Sequence, residues 1–272
     1  MTTTINPKNG IALNVFLNNK QVKQLLPWAV PVFILVTWQL LVEFGFLSTR
    51  ILPAPTSVVI TAVNLALSGE LFRNIAISAA RAISGLIIGG SIGLALGFLN
   101  GIFPLAETLF DTSVQMIRNI PNLALIPLVI LWFGIGDVAR LFLTSLGVFF
   151  PMYINTFYGI RNVDRGLIEM GQVYGLNSRE LLTQIIIPGS LSSILVGLRY
   201  ALGIMWLTLI VAETIAADSG IGYMAMNARE FMQTDVVVLS LILYALLGKL
   251  ADVGARALES KWLAWNPNYR RS

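Results

Sequence analysis

Beginning at Pro27, the chain is a succession of apolar runs each long enough to cross a bilayer, and this leaves few folds open. A helix rises 1.5 Å per residue, so about twenty residues span a hydrocarbon core about 30 Å thick. Such runs lie at 27–47, 75–103, 104–133, 138–160, 191–216 and 236–257. A soluble fold fails on charge, because only 12% of the residues are charged, against about 25% in a water-facing domain. The chain therefore reads as an all-α integral membrane protein with six transmembrane helices. Residues 27–257 form the membrane domain, between a polar segment, 1–26, and a short tail, 258–272.

There is no cysteine and no histidine. Disulfides, thiol nucleophiles, imidazole bases and the usual Cys/His zinc sites go with them, and no spaced pair of carboxylates in the spans suggests catalysis, so no catalytic or metal-ligating residue is assigned. The net charge of +4 comes without a basic patch interleaved with aromatics, which argues against nucleic acid as a partner. Residues 1–26 are polar, with Lys8, Lys20 and Lys23. No small-residue cleavage site follows the first apolar run, so it is expected to be retained as a helix with Pro27 in its first turn. The rival class is a secondary transporter driven by protons or sodium. Such transporters often carry internal repeats, and no clear repeat occurs here.

Pro53 and Pro55 rule out helix at that point, and a short amphipathic helix from Thr56 or Ser57 to Leu67, ended by Gly69, is expected on the outer surface. In the second run Gly85, Gly89, Gly93, Gly97 and Gly101 recur every four residues. They share one helix face, where another helix backbone can approach closely, in this chain or in a second copy. Arg81, near the end of that helix, is expected to snorkel. The third run is interrupted by Pro121 and Pro127, each of which removes a helix bond. Broken backbone survives in a bilayer where it is buried in protein or lines a watery cavity, so 104–133 is the candidate lining of a route across the membrane. An even number of spans puts both termini on one side. With that side inside, inner segments hold ten of the 18 Lys and Arg, outer segments hold Arg50, Arg73, Arg140 and Arg229, and the spans hold Arg81, Arg118, Arg199 and Lys249. This bias places both ends, and the loop 162–188, in the cytoplasm of a plasma (inner) membrane.

That loop is the longest polar interval of the membrane domain. It reads Glu169-Met170-Gly171, three residues, Gly175, nine residues, then Ile185-Ile186-Ile187-Pro188. It resembles the cytoplasmic signature of permease subunits of bacterial ATP-binding-cassette importers: Glu-Ala-Ala, three residues, Gly, nine residues, Ile-x-Leu-Pro. The spacing agrees throughout, and Met170, Gly171 and Ile187 replace two alanines and a leucine with residues that stay apolar or small. Similarity to the branch that moves nitrate, nitrite, bicarbonate, taurine and alkanesulfonates extends to Leu52-Pro53-x-Pro55, to 121–128, to 132–136 and to 219–223. The tail 265–269 is similar to nitrate and bicarbonate members.

The resemblance implies the type I importer permease fold and a mechanism. The loop would form short helices that dock in a groove of an ATPase subunit, with Arg165, Glu169, Gly171, Gly175, Arg179 and Pro188 as coupling residues. Gly175 would break the helix, Ser178 would cap the next one, the charges would set orientation, and Pro188 would close the loop. The resemblance further implies two ATPase subunits, with ATP and Mg bound on those chains, a second permease copy (most simply a homodimer), an extracytoplasmic substrate-binding protein, and membrane lipid. In keeping with this, the chain has no GxxxxGK[ST] phosphate loop. Nitrate or nitrite is the first expectation for the cargo, with bicarbonate or taurine and alkanesulfonate as alternatives. Route candidates are Gln115, Arg118, Asn119, Arg199 and Thr208. Arg199 lies about 16 Å along a helix from Pro188, too deep to snorkel easily, and intramembrane charge is costly unless paired or used. The competing reading makes Arg118 and Arg199 structural partners of Glu213, Asp111 or Glu107.

Overall fold

The computed structural model describes residues 20–265. Over this range the chain is helical: α1 (Lys20–Glu43), α2 (Pro55–Leu67), α3 (Glu70–Ile102), α4 (Pro104–Arg118), a 3-10 turn (Asn122–Leu125), α5 (Ile126–Phe133), α6 (Asp137–Arg161), α7 (Arg165–Val173), α8 (Ser178–Leu181), a π turn (Leu182–Ile186), α9 (Ile187–Ala216), α10 (Ile221–Glu230) and α11 (Thr234–Trp262). Four helices are long and apolar enough to cross a bilayer: α3, α6, the continuous stretch Ser178–Ile215, and α11. α4 and the segment Asn122–Phe133 pass the same test only as a pair, bent by 87° at the break. α1 contributes the shorter apolar stretch Trp28–Glu43. The six expected membrane segments thus correspond to four long helices, one sharply broken pair, and α1.

Two helix starts differ from the sequence expectation. α1 begins at Lys20, so Pro27 lies inside it and not in its first turn. The residues ahead of Pro27 are mostly good helix formers (Lys20, Gln21, Lys23, Gln24, Leu25, Leu26), and they extend the helix backwards. Pro55 is the first residue of α2 and not a barrier to it. At that position the missing N–H has no intrahelical partner to lose.

α3 and α6 form the central pair, and α9 packs on the other side of α6. The reason is the glycine stripe. A Cβ on Gly85 would lie 2.6 Å from Thr144 Cγ2, on Gly93 2.5 Å from the Phe149 carbonyl oxygen, on Gly97 2.6 Å from that of Tyr153, and on Gly101 2.9 Å from Ile160 Cβ. On Gly89 it would overlap the Ser145 carbonyl. The stripe therefore seats α6 of the same chain. The other side of α3 exposes Ile83, Ile87, Ile88 and Ile92. Small residues inside and large apolar residues outside is the inverse of a soluble helix. In lipid, apolar surface has no water to avoid, and close backbone packing is what drives association. At the loop end of this seam the buried Tyr153 donates its hydroxyl to Asp111 Oδ1 (2.6 Å) and accepts from Asn100 Nδ2 (2.8 Å), tying α3, α4 and α6 together.

Candidate functional site

The loop between α6 and α9 folds into a compact helical hairpin. Asp164 caps α7 by accepting from the Gly166 N–H at 2.8 Å. Gly171 is buried, and a Cβ there would come 2.6 Å from Ile185 Cδ1 and 2.7 Å from Leu181 Cδ2, so α7 lies directly on the start of the next helix. Gly175 has φ +81, the left-handed region. Its N–H donates to the Gln172 carbonyl and that of Leu176 to the Gly171 carbonyl, both at 3.0 Å, which is the glycine-terminated helix end. Ser178 is not the cap of the following helix. Asn177 is: its Oδ1 accepts from the Arg179 and Glu180 N–H groups at 3.0 Å, while Glu180 Oε2 accepts from the Asn177 N–H at 2.8 Å. This reciprocal capping box was readable from the Asn-x-x-Glu spacing at 177–180.

Pro188 also differs from expectation. It does not close the loop, because the helix runs unbroken from Ser178 through the π turn into α9, with Pro188 in the first turn of α9. The wider winding at Leu182–Ile186 accommodates a residue that cannot donate backwards. Arg165, Glu169, Gly175 and Arg179 are exposed on this end of the molecule. With them are apolar residues that were not singled out from sequence: Val173 is 87% and Tyr174 80% exposed, and Met170 and Leu167 are exposed one and two turns earlier. Their three-to-four-residue spacing in a polar loop was the available signal.

The break between α4 and α5 opens a cleft of about 440 Å³, with Arg118, Asn122, Asn155, Tyr200 and Ile204 among its lining residues. Of the route candidates, Arg118 lines the cleft directly and Asn119 follows it as the end cap of α4. Thr208 is buried on α9, its hydroxyl 2.7 Å from where a Cβ on Gly147 would sit. Gln115 points elsewhere and donates to Asp111 Oδ1 at 3.2 Å. Arg199 lines a second cleft, of about 570 Å³, and donates through Nε to Asp252 Oδ1 at 2.8 Å. Asp252 also pairs with Arg256 at 3.0 Å and Lys249 at 3.6 Å. The acid facing Arg199 is thus Asp252, not Glu213, Asp111 or Glu107. Each of those three is engaged elsewhere: Glu213 with Arg81, Glu107 with Arg161, and Asp111 with Tyr153. Sequence distance hid this pair, since α9 and α11 meet only in the folded chain.

At the end opposite the loop, one fully buried carboxylate organises the segment 217–223. Glu213 accepts from Ser78 Oγ (2.7 and 2.8 Å), Arg81 Nη1 (2.9 Å), the Gly222 N–H (3.0 Å) and the Tyr244 hydroxyl (3.1 Å). Arg81 also reaches the Ser219 carbonyl (2.6 Å) and Asp137 (2.7 Å), and Asp137 takes Arg140 at 2.8 Å. The Gly220 N–H donates to Asn74 Oδ1 and the Ile221 N–H to Ser78 Oγ, each at 2.9 Å. Arg81 does not snorkel: its side chain is 10% exposed, because a buried acid within reach outweighs the pull of water. Asp218 is exposed at the rim. Its carboxyl is held below the usual carboxylate range by a hydrogen bond from its own backbone N–H and one from the Ser219 hydroxyl, with the charges of Arg140 and Arg81 adding to the effect.

A helical hairpin joined to a bundle of helices long enough to span a membrane is the arrangement seen among the described residues. The chain belongs to the family of binding-protein-dependent transport system inner membrane components, whose family model matches residues 85–263. It is a multi-pass permease subunit of the ATP-binding-cassette importer class. The permease protein SsuC of Escherichia coli K12, named for the transport of aliphatic sulfonates, is 60% identical over 250 residues, covering 92% of this chain and 95% of the relative. The Bacillus subtilis 168 protein of the same name is 44% identical, covering 88% and 87%. The nitrate import permease NrtB of Synechococcus elongatus is 27% identical, covering 93% and 95%. This order favours the alternative of a sulfonate over nitrate, the first expectation. The segments that suggested the branch do structural work: Pro55 opens α2, and 219–223 is held around Glu213. Of the tail, 266–269 lies outside the described residues.

Proposed function

We propose that the protein is the membrane subunit of an ATP-driven importer of aliphatic sulfonates. The 60% identity to a relative named for that transport carries the substrate class. In this reading two ATPase subunits bind ATP and Mg, a second permease copy completes the membrane unit, and a binding protein delivers the sulfonate from outside. Both termini and the 162–188 hairpin face the cytoplasm, as the distribution of Lys and Arg favours. The exposed apolar residues Leu167, Met170, Val173 and Tyr174, ringed by Arg165, Glu169 and Arg179, offer what a docking helix needs: apolar area for affinity and charge for orientation. Because α8, the π turn and α9 are continuous, a push on the hairpin is carried straight into a membrane helix. Closure of two ATPases would draw two such hairpins together and switch the bundle between inward-open and outward-open states.

The test is uptake by vesicles containing the reconstituted complex with its ATPases and binding protein. Labelled ethanesulfonate should accumulate only with ATP inside. Accumulation of nitrate or bicarbonate in preference to the sulfonate would overturn the substrate class, and uptake by the permease alone, without any ATPase, would overturn the coupling.

A further inference from the structure

The cleft at the break in the third membrane segment sits at mid-length of two spanning helices. It is floored by Gly147, Phe150 and Asn155 from the middle of α6, and walled by Tyr200 and Ile204 from the middle of α9. Its composition is split. Arg118 and Asn122 flank the broken backbone and, with Asn155 and Tyr200, supply the polar groups, while Ile120, Phe150, Ile154 and Ile204 are apolar. Arg81, Arg140, Arg161 and Arg199 each have a carboxylate within 3.0 Å. Among the described residues Arg118 has no ion-pair partner. A cation at this depth is costly and persists where it serves a pathway or finds a counter-charge. Two backbone features shape the floor. Pro151 removes the helix bond to the Gly147 carbonyl. Gly147 has no side chain, and a Cβ there would press on Thr208 Oγ1 at 2.7 Å and Asn122 Nδ2 at 3.3 Å.

We propose that this cleft is a transient binding site for the sulfonate on its way through the membrane. Arg118 and the Asn122 amide meet the sulfonate oxygens, and Ile120, Ile154 and Ile204 take the aliphatic chain. The inference rests on the sulfonate reading above and assigns residues to it. The split lining is what favours an amphipathic anion: a compact inorganic anion such as nitrate would use Arg118 and have nothing to place on the apolar wall. The site is largely apolar with few polar groups, as a route needs, since a tight site would hold its cargo.

The experiment uses the whole complex in vesicles and two variants, R118Q and I120W, with methanesulfonate and hexanesulfonate as labelled probes. Ile120 is exposed, so I120W changes the wall without burdening the fold. R118Q should cut uptake of both probes by roughly tenfold or more, as expected for losing a hydrogen-bonded charge, while the ATPases still co-purify. I120W should depress hexanesulfonate uptake more than methanesulfonate uptake, shifting the preference toward the shorter chain. Wild-type uptake of both probes by R118Q would overturn the site. If R118Q does not assemble, I120W decides, and an unchanged preference for chain length overturns the proposal. A wild-type complex that imports nitrate and neither sulfonate would overturn the functional reading instead.

Discussion

Glu213 is the residue on which the end of the bundle opposite the hairpin most depends. Its carboxylate is buried and accepts from a serine, an arginine, a tyrosine and a backbone N–H. A buried ion pair adds little over an apolar replacement, but removing one partner strands the other and costs about 3–5 kcal/mol. E213A should therefore lower the thermal unfolding temperature in detergent sharply, while E213Q, which keeps an acceptor oxygen for Ser78 and Tyr244, should lose less. An E213A protein that melts with the wild type would show that the network does not hold this end together. Arg118 is the opposite case, a cation with no ion-pair partner among the described residues. In sequence each is one of a few charges in an apolar run, and only the folded neighbourhood separates a structural charge from a candidate contact.

At the scale of elements, the α3–α6 seam is a fit of glycine against backbone. At Gly89 a methyl group would meet the Ser145 carbonyl, which cannot move aside as a flexible side-chain tip can. Gly90, one residue on, has nothing closer than 3.7 Å. G89A should destabilise by about 1–3 kcal/mol or more through overpacking, whereas G90A should be neutral or slightly stabilising, since alanine is worth about 1 kcal/mol over glycine in a helix. Thermal unfolding of the two purified proteins checks this, and equal behaviour would mean the helices do not meet along the stripe. The stripe itself was plain in the sequence. Which helix filled it was not, because a four-residue repeat fixes a face and not a partner.

For the whole molecule, the hairpin and the bundle are joined by continuous helix, so the loop is positioned to transmit force. E169K reverses an exposed charge on α7, and G175P forces a proline into a backbone with φ +81, far from the ring's fixed value. Both variants are expected to release the ATPase or to let ATP hydrolysis proceed without uptake, read by co-purification and by the ratio of phosphate released to sulfonate imported. Normal ratios in both would remove the hairpin from the coupling path.

The amino-acid order alone determined the solvent, the helical class and the presence of the loop. These follow from local quantities: length of apolar runs, scarcity of charge, and the Glu169–Gly175–Pro188 spacing. It also pointed to the broken segment, because proline acts on its own backbone. Tertiary structure decided the rest. It gave the glycine stripe to α6 and paired Arg199 with Asp252 and Arg81 with Glu213. It also brought Arg118 and Asn122 beside Tyr200 and Ile204. Each of these depends on which helices lie side by side. In a bilayer that choice rests on small differences in packing between surfaces that are all apolar, and the order of residues along one helix does not record it.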